Sequence, residues 1–217
     1  MKYRLAMFDL DGTILNSLED LTDSVNAVLL RHGFPTHSLD AVRSFVGNGI
    51  LKLIQKAVPA GIGEEKRDAV FEDFKVYYAA HCADKTKPYE GVVDLLLALR
   101  RAGILTAVVS NKADFAVKML VDQYFNGLFD AAVGERQDVP RKPAPDGVLA
   151  VMRSLGCTAT ETVYIGDSDV DVMTAKNAHV DGIFVDWGFR SAELLRACGA
   201  RTVVSKPQEI ADLLLLS

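Results

Sequence analysis

Two carboxylates stand two positions apart just after an apolar run: Leu5-Ala6-Met7-Phe8 leads into Asp9-Leu10-Asp11-Gly12-Thr13. In a strand, alternation puts Asp9 and Asp11 on one side and turns Leu10 away. Two like charges in one small space are costly unless a cation compensates them or one carboxyl keeps its proton. The first remedy asks for a hard, oxygen-seeking ion such as Mg²⁺, and the second makes one of the pair a general acid. The bland reading is a solvated turn that favours Asp at its bends. Further clusters along the chain add weight to the chemical reading.

Val109-Ser110-Asn111-Lys112 falls where a second apolar run ends and a helix is expected to begin. There the Ser110 hydroxyl, Asn111 and the free amides of the helix start can hold phosphate oxygens, although plain helix capping is an equal reading. Gly166-Asp167-Ser168-Asp169-Val170-Asp171 closes a third run. Gly166 permits close backbone approach, and Asp167 can reach the ion that Asp9 ligates. An acidic helix start would also explain this cluster. Lys142 stands in Arg141-Lys142-Pro143-Ala144-Pro145-Asp146, before a turn stiffened by proline. Beside several carboxylates and a phosphate, a cation becomes an electrostatic requirement, and Lys142 is the candidate.

The elements that must position these residues follow from the apolar pattern. Leu5-Phe8, Leu105-Val109 and Val163-Ile165 are short continuous apolar runs, with weaker ones at Ala131-Val133, Gly182-Val185 and Thr202-Val204. Such runs suit strands buried on both faces of a parallel sheet. Helical stripes lie between them, at Val92, Leu95, Leu96 and Leu99, and at Val148, Val151, Met152 and Leu155 with Gly156 as a stop. The alternation predicts an α/β fold with a doubly wound, Rossmann-like parallel sheet, whose ligands sit beyond the carboxyl ends of the strands. From about Ser17 to Asp84 the alternation breaks. Leu21, Val25, Val28 and Leu29 form one helical stripe, and Val70, Phe74, Tyr77 and Tyr78 another, with no strand candidate between them. The expectation is a core domain of residues 1–16 and 85–217 interrupted by a small all-helical insert of residues 17–84.

Composition narrows the function classes. A formal charge of −5 without a Lys/Arg block argues against nucleic acid or an anionic membrane as the main partner. Cys82, Cys157 and Cys198 are widely spaced and odd in number, which suggests neither a disulfide framework nor a zinc site and points to a reducing cytoplasm. The four histidines show no metal-ligand spacing. The apolar run before Asp9 is too short for a signal peptide or a membrane span.

Taken in order, the four clusters resemble the signature motifs of the haloacid dehalogenase superfamily of phosphohydrolases, and the insert resembles that superfamily's small helical cap. The resemblance implies Asp9 as nucleophile and metal ligand, and Asp11 as general acid/base lending its backbone carbonyl to the metal. It further implies Ser110 and Asn111 as phosphate-binding residues, and Lys142 as the cation steadying nucleophile and phosphoryl group. Asp167 would ligate Mg²⁺, with Asp171 supporting the metal waters or Lys142. Within the superfamily the chain is most similar to phosphoglycolate phosphatases and their close relatives, through Val46-Gly47-Asn48-Gly49, Asn111-Lys112 and Trp187-Gly188-Phe189-Arg190. It departs from them at Gly134-Glu135 and at Ala144. The expected partner is a small phosphorylated metabolite, and the sequence leaves the oligomeric state open. In the insert, Gly47, Asn48 and Gly49, flanked by Arg43 and Lys52, form a candidate specificity loop for an anionic leaving group; a simple turn between helices is the alternative. A phosphomutase using the same aspartyl-phosphate and a catalytically silent phosphate-binding module are the competing functions.

Overall fold

The computed structural model describes residues 2–216. Its chain groups into two compact units, one of Met1–Leu15 with Pro88–Ser217 and one of Asn16–Lys87.

The larger unit is built on a six-stranded sheet. Its strands are β1 (Leu5–Phe8), β4 (Leu105–Ala113), β5 (Ala131–Glu135), β6 (Thr162–Gly166), β7 (Asp181–Val185) and β8 (Val203–Val204), in the order β5-β4-β1-β6-β7-β8. All neighbouring pairs are parallel. Each apolar run thus became a strand of one sheet, because parallel strands covered on both faces tolerate apolar side chains at every position. β1 is buried throughout, and its neighbours β4 and β6 leave it in opposite directions. That reversal is where a doubly wound sheet opens a crevice beyond its carboxyl ends. The crossovers are α5 (Val92–Arg101), α6 (Asp114–Phe125), α7 (Asp146–Leu155), α8 (Asp169–Asn177) and α9 (Ala192–Ala197), with α10 (Pro207–Leu215) closing the chain. The stripe Val92, Leu95, Leu96 and Leu99 is buried. Gly156 ends α7 in the left-handed conformation, φ 64°, which glycine adopts without steric penalty.

One element differs from the sequence expectation. β4 does not stop at Val109 but continues to Ala113, with a register shift against β5 between Val109 and Ala113. The helix begins only at Asp114, so Ser110, Asn111 and Lys112 are strand residues and not a helix start. Gly134 of β5 makes room for this extension. A Cβ there would lie 2.5 Å from the Lys112 carbonyl oxygen.

The smaller unit contains α1 (Leu18–Arg31), α2 (Leu39–Phe45), α3 (Gly49–Ala57) and α4 (Glu64–His81). Leu21, Val25, Val28 and Leu29 of α1 and Val70, Phe74 and Tyr78 of α4 are buried. Asp20, itself buried, accepts the amides of Lys85 at 2.9 Å and Thr86 at 2.8 Å and the Thr86 hydroxyl at 2.7 Å. One carboxylate therefore anchors the exit segment to the first helix. Short strands β2 (Leu15–Asn16) and β3 (Lys87–Pro88) pair with each other. Among the described residues no helix is long and apolar enough to cross a membrane.

Candidate active site

β1 ends at Phe8, and the chain then folds tightly. The amides of Thr13, Ile14 and Leu15 converge on the Leu10 carbonyl at 3.3, 3.0 and 3.0 Å, and Gly12 takes φ 85°. This turn separates the two acids of the first cluster. Asp9 Oδ1 lies 3.0 Å from Lys142 Nζ and accepts the Leu10 amide at 2.7 Å. Asp11 turns to a different lysine, Lys112, whose ammonium is 3.1 Å from each carboxylate oxygen. The crowding expected between Asp9 and Asp11 occurs instead among Asp9, Asp167 and Asp171, which offer oxygens within 4.8 Å of one another. The reason is that β1 has already ended at Phe8, so strand alternation no longer governs Asp11.

Lys142 is the hub of that cluster. Its side chain is 4 % exposed, and its ammonium donates to Asp171 Oδ1 at 2.8 Å and to the Tyr164 hydroxyl at 2.9 Å. Burial works against its charge, but Asp171 and Asp9 together hold its pKa well above the ordinary lysine value. Asn111 fixes the lysine's backbone: its Oδ1 accepts the Lys142 amide at 2.9 Å and its Nδ2 donates to the Lys142 carbonyl at 3.0 Å. The Asn111 side chain thus clamps the backbone of Lys142. Ser110 Oγ accepts the Lys112 amide at 3.3 Å.

Asp171 is saturated. Its Oδ2 accepts from the Asp167 amide at 3.2 Å, the Ser168 amide at 3.1 Å and the Ser168 hydroxyl at 2.6 Å, while Oδ1 takes Lys142 and Tyr164. It caps α8 and neutralises Lys142 at once. Gly166 makes that possible, since a Cβ there would sit 2.3 Å from Asp171 Cβ.

Asp167 is fully buried and held from both sides. Thr13 Oγ1 donates to Oδ1 at 3.0 Å and the Phe189 amide to Oδ2 at 2.8 Å. Gly12 and Gly188 close around it, and a Cβ on either would come within 2.3 and 2.4 Å of its side chain. Trp187 Nε1 in turn donates to the Thr13 carbonyl at 3.1 Å. Burial, then Asp171 and Asp9, push the Asp167 carboxyl well above the usual range. Burial likewise raises Asp9, to about 6, against the pull of Lys142. Both shifts come first from burial, with Asp171 adding to it as a neighbouring acid.

Sequence reasoning gave Tyr164 and Thr13 no role, and Lys112 only a place in the family resemblance. Tyr164 reads as one more apolar strand residue, and only the structure shows its hydroxyl beside Lys142 and Asp171. Lys112 does carry a signal: two residues beyond Ser110 on an extended strand, it falls on the same side. Arg43, Gly47, Asn48 and Gly49 belong to the smaller unit. Asn48 precedes α3, Gly47 and Gly49 take φ 117° and 80°, and Arg43 pairs with Asp40 at 3.5 Å.

The sequence profile of the haloacid dehalogenase-like hydrolases matches residues 6–185. This chain belongs to that family. Among curated relatives of these hydrolases, phosphoglycolate phosphatase 1 of Pseudomonas aeruginosa is 36 % identical over 192 residues, covering 86 % of this chain and 70 % of the relative. The phosphoglycolate phosphatase of Psychrobacter arcticus is 30 % identical over 223 residues, covering 99 % and 97 %. Among solved haloacid dehalogenase-like folds, a protein of Lactobacillus delbrueckii subsp. bulgaricus, provisionally assigned as a phosphoglycolate phosphatase, superposes with a TM-score of 0.94 at 36 % identity over 99 % of both chains.

Whether a haloacid dehalogenase-like site of this composition suits a divalent cation is decided by its donors. Asp171 has no capacity to spare, but Asp167 carries charge in excess of its two hydrogen bonds, and among the described residues Asp9 Oδ2 accepts none. Hard carboxylate oxygens at adjacent strand ends, with raised proton affinity, fit Mg²⁺.

Proposed function

We propose that this chain is a Mg²⁺-dependent phosphatase of small phosphomonoesters working through an aspartyl-phosphate, with phosphoglycolate as the preferred substrate. The observation that carries the chemistry is Asp9, whose Oδ1 is pinned by Lys142 and the Leu10 amide while Oδ2 is left to attack. Lys142 keeps the nucleophile ionised and neutralises the arriving phosphoryl oxygens. Asp9 Oδ2 forms a bond to phosphorus as the ester P–O bond breaks, and Asp11 gives its proton to the departing alkoxide. Asp11 then takes a proton from the water that attacks phosphorus, which breaks the bond to Asp9 and releases phosphate. Asp9, Asp167 and the Asp11 backbone carbonyl would hold Mg²⁺, which when bound supplies charge neutralisation to the phosphoryl group. Ser110 would hold a phosphate oxygen, while Asn111 keeps Lys142 in place.

The substrate assignment rests on the names of relatives at 30 % identity and above, which are phosphatases, and nothing in the site favours the mutase alternative. The helical unit, residues 17–84, is then the part that chooses among leaving groups, since the core recognises only what every phosphomonoester shares. Cys82, Cys157 and Cys198 are in no disulfide, and we assign the enzyme to a reducing cytoplasm.

The test is a panel of small phosphomonoesters with purified protein. Phosphoglycolate should give the highest kcat/KM, and chelation should abolish turnover until Mg²⁺ returns. Trp187 is the single tryptophan and is joined through Thr13 to Asp167, so its emission should change on Mg²⁺ titration. Turnover that survives exhaustive chelation would sink the metal assignment. Uniform rates across the panel would sink the substrate.

A further inference from the structure

Lys112 is a buried cation on the reacting side of the sheet to which the chemistry above gives no part. Its side chain is 3 % exposed and that of Asp11 is 15 % exposed. Placing the ammonium there takes specific structure: the extension of β4 past Val109, the Ser110 hydroxyl receiving the Lys112 amide, and Gly134 admitting the Lys112 backbone. Gly134 also donates its amide to Asp114 Oδ1 at 2.9 Å, which fixes the end of that extension.

The contact geometry is informative. Lys112 Nζ lies 3.1 Å from Asp11 Oδ1 and 3.1 Å from Oδ2, so it prefers neither oxygen. Each carboxylate oxygen has two acceptor directions. A single point cation held equally by both oxygens fixes the plane and reach of the carboxyl. Asp171, by comparison, takes donors from Lys142, Tyr164, Asp167 and Ser168 and is fixed in place by all of them. Asp11 lies beyond the end of β1, where its backbone is tied by a lone bridge to Leu15, and the Lys112 contact fixes its side chain.

We propose that Lys112 is a positioning residue that acts through Asp11, holding its carboxyl in the orientation for proton transfer to and from the oxygens of the leaving group and the attacking water. Lys112 keeps its own protons throughout. The inference rests on the reading of Asp11 as general acid/base.

The experiment measures kcat/KM for aryl and alkyl phosphates of graded leaving-group basicity in wild type, Lys112→Met, Lys112→Arg, Asp11→Asn and the double variant Lys112→Met/Asp11→Asn. Good leaving groups depart without a proton, so removing the acid function steepens the dependence on leaving-group basicity. Lys112→Met should lose on the order of 10²-fold on the poorest leaving group and little on p-nitrophenyl phosphate. Asp11→Asn should steepen the same dependence, and adding Lys112→Met to it should cost less than about 2-fold further, as expected of residues acting as one unit. Lys112→Arg, which restores the cation, should recover a shallow dependence and carries the test if Lys112→Met proves unfolded by circular dichroism. An equal loss on every substrate, or losses that multiply in the double variant, would overturn the proposal. A steep dependence in Lys112→Arg would overturn it as well. If Asp11→Asn leaves the leaving-group dependence unchanged, the general acid itself is misassigned and both readings fall together.

Discussion

The two ends of the six-stranded sheet handle charge in opposite ways. At the amino ends, Lys2 pairs with Asp181 at 2.7 Å and Arg4 with Glu161 at 3.1 Å, with the four side chains 31 to 58 % exposed. At the carboxyl ends, Lys142 pairs with Asp171 at 2.8 Å and Lys112 with Asp11 at 3.1 Å, with exposures of 0 to 15 %. Acids respond accordingly. Glu161 is drawn down to about 2 by the Thr158 amide and hydroxyl and by Arg4, and Asp181 is lowered by Lys2 and Tyr3. Asp9 rises to about 6 and Asp167 is pushed well above the usual carboxylate range, because burial outweighs their partners. The same residue types therefore satisfy their own charge at one end and store unbalanced charge at the other. Stability alone would not select the second arrangement, since a buried ion cluster is often no better than an apolar one. In the proposed mechanism its use is to receive a cation and a phosphate.

If that contrast is right, the largest effect belongs to the nucleophile. Asp9→Asn keeps the shape but removes the attacking charge, so turnover should fall by roughly 10³-fold or more with an unchanged circular dichroism spectrum. A folded variant with near-normal rate would place the nucleophile elsewhere.

Next in size is Lys142→Met, which leaves Asp9 and Asp171 without their shared cation and should destabilise the protein by about 3 kcal/mol in urea unfolding. Adding Asp171→Asn removes one of the stranded acids and should recover part of the loss. A stability within experimental error of wild type would mean that the carboxyl-end cluster is not held by that lysine.

A smaller effect separates the two ends by pH. Asp9 and Asp167 have folded pKa values raised above the carboxylate reference near 3.8, so the native protein binds more protons than the unfolded chain across the window from about 4 to about 6. Metal-free stability contributed by this end should fall as pH rises through that window. Mg²⁺ should therefore raise Tm by a few degrees more at pH 8 than at pH 5, where saturating ligand typically adds about 3 kcal/mol. Differential scanning fluorimetry with and without Mg²⁺ at the two pH values checks this, and equal increments would show that the cation does not meet these carboxyls.

The smallest expectation concerns the amino end. Replacing Lys2 by Ala should leave Tm and kcat/KM unchanged, because exposed ion pairs are solvated in either state. A loss of activity from Lys2→Ala would erase the distinction between the ends.

Much of this was legible in the chain. Leu5-Phe8, Leu105-Val109 and Val163-Ile165 each became a sheet strand, and each is followed by residues of the site, because ligand chemistry in a doubly wound sheet gathers where strands end. Asp9, Lys142, Asp167 and Asp171 come together as their types implied. The helix start expected at Ser110-Asn111 lies at Asp114 instead, since local propensity cannot show how far β5 will pair with β4. Asn111 is an instructive case. Its position beside the site was readable, but its clamp on the Lys142 backbone joins residues 31 apart in sequence.

By itself, then, the sequence determined the periodicity that makes an α/β chain with a helical insert, the residue types at the strand ends, and the family. Only the tertiary structure decided who meets whom: Lys142 with Asp9, Asp171 and Tyr164, and Lys112 with Asp11 across 101 positions. The reason is physical. A side chain's direction along a strand follows from local geometry, whereas its partner depends on strand order and register, which are settled by burying the whole apolar sheet at once.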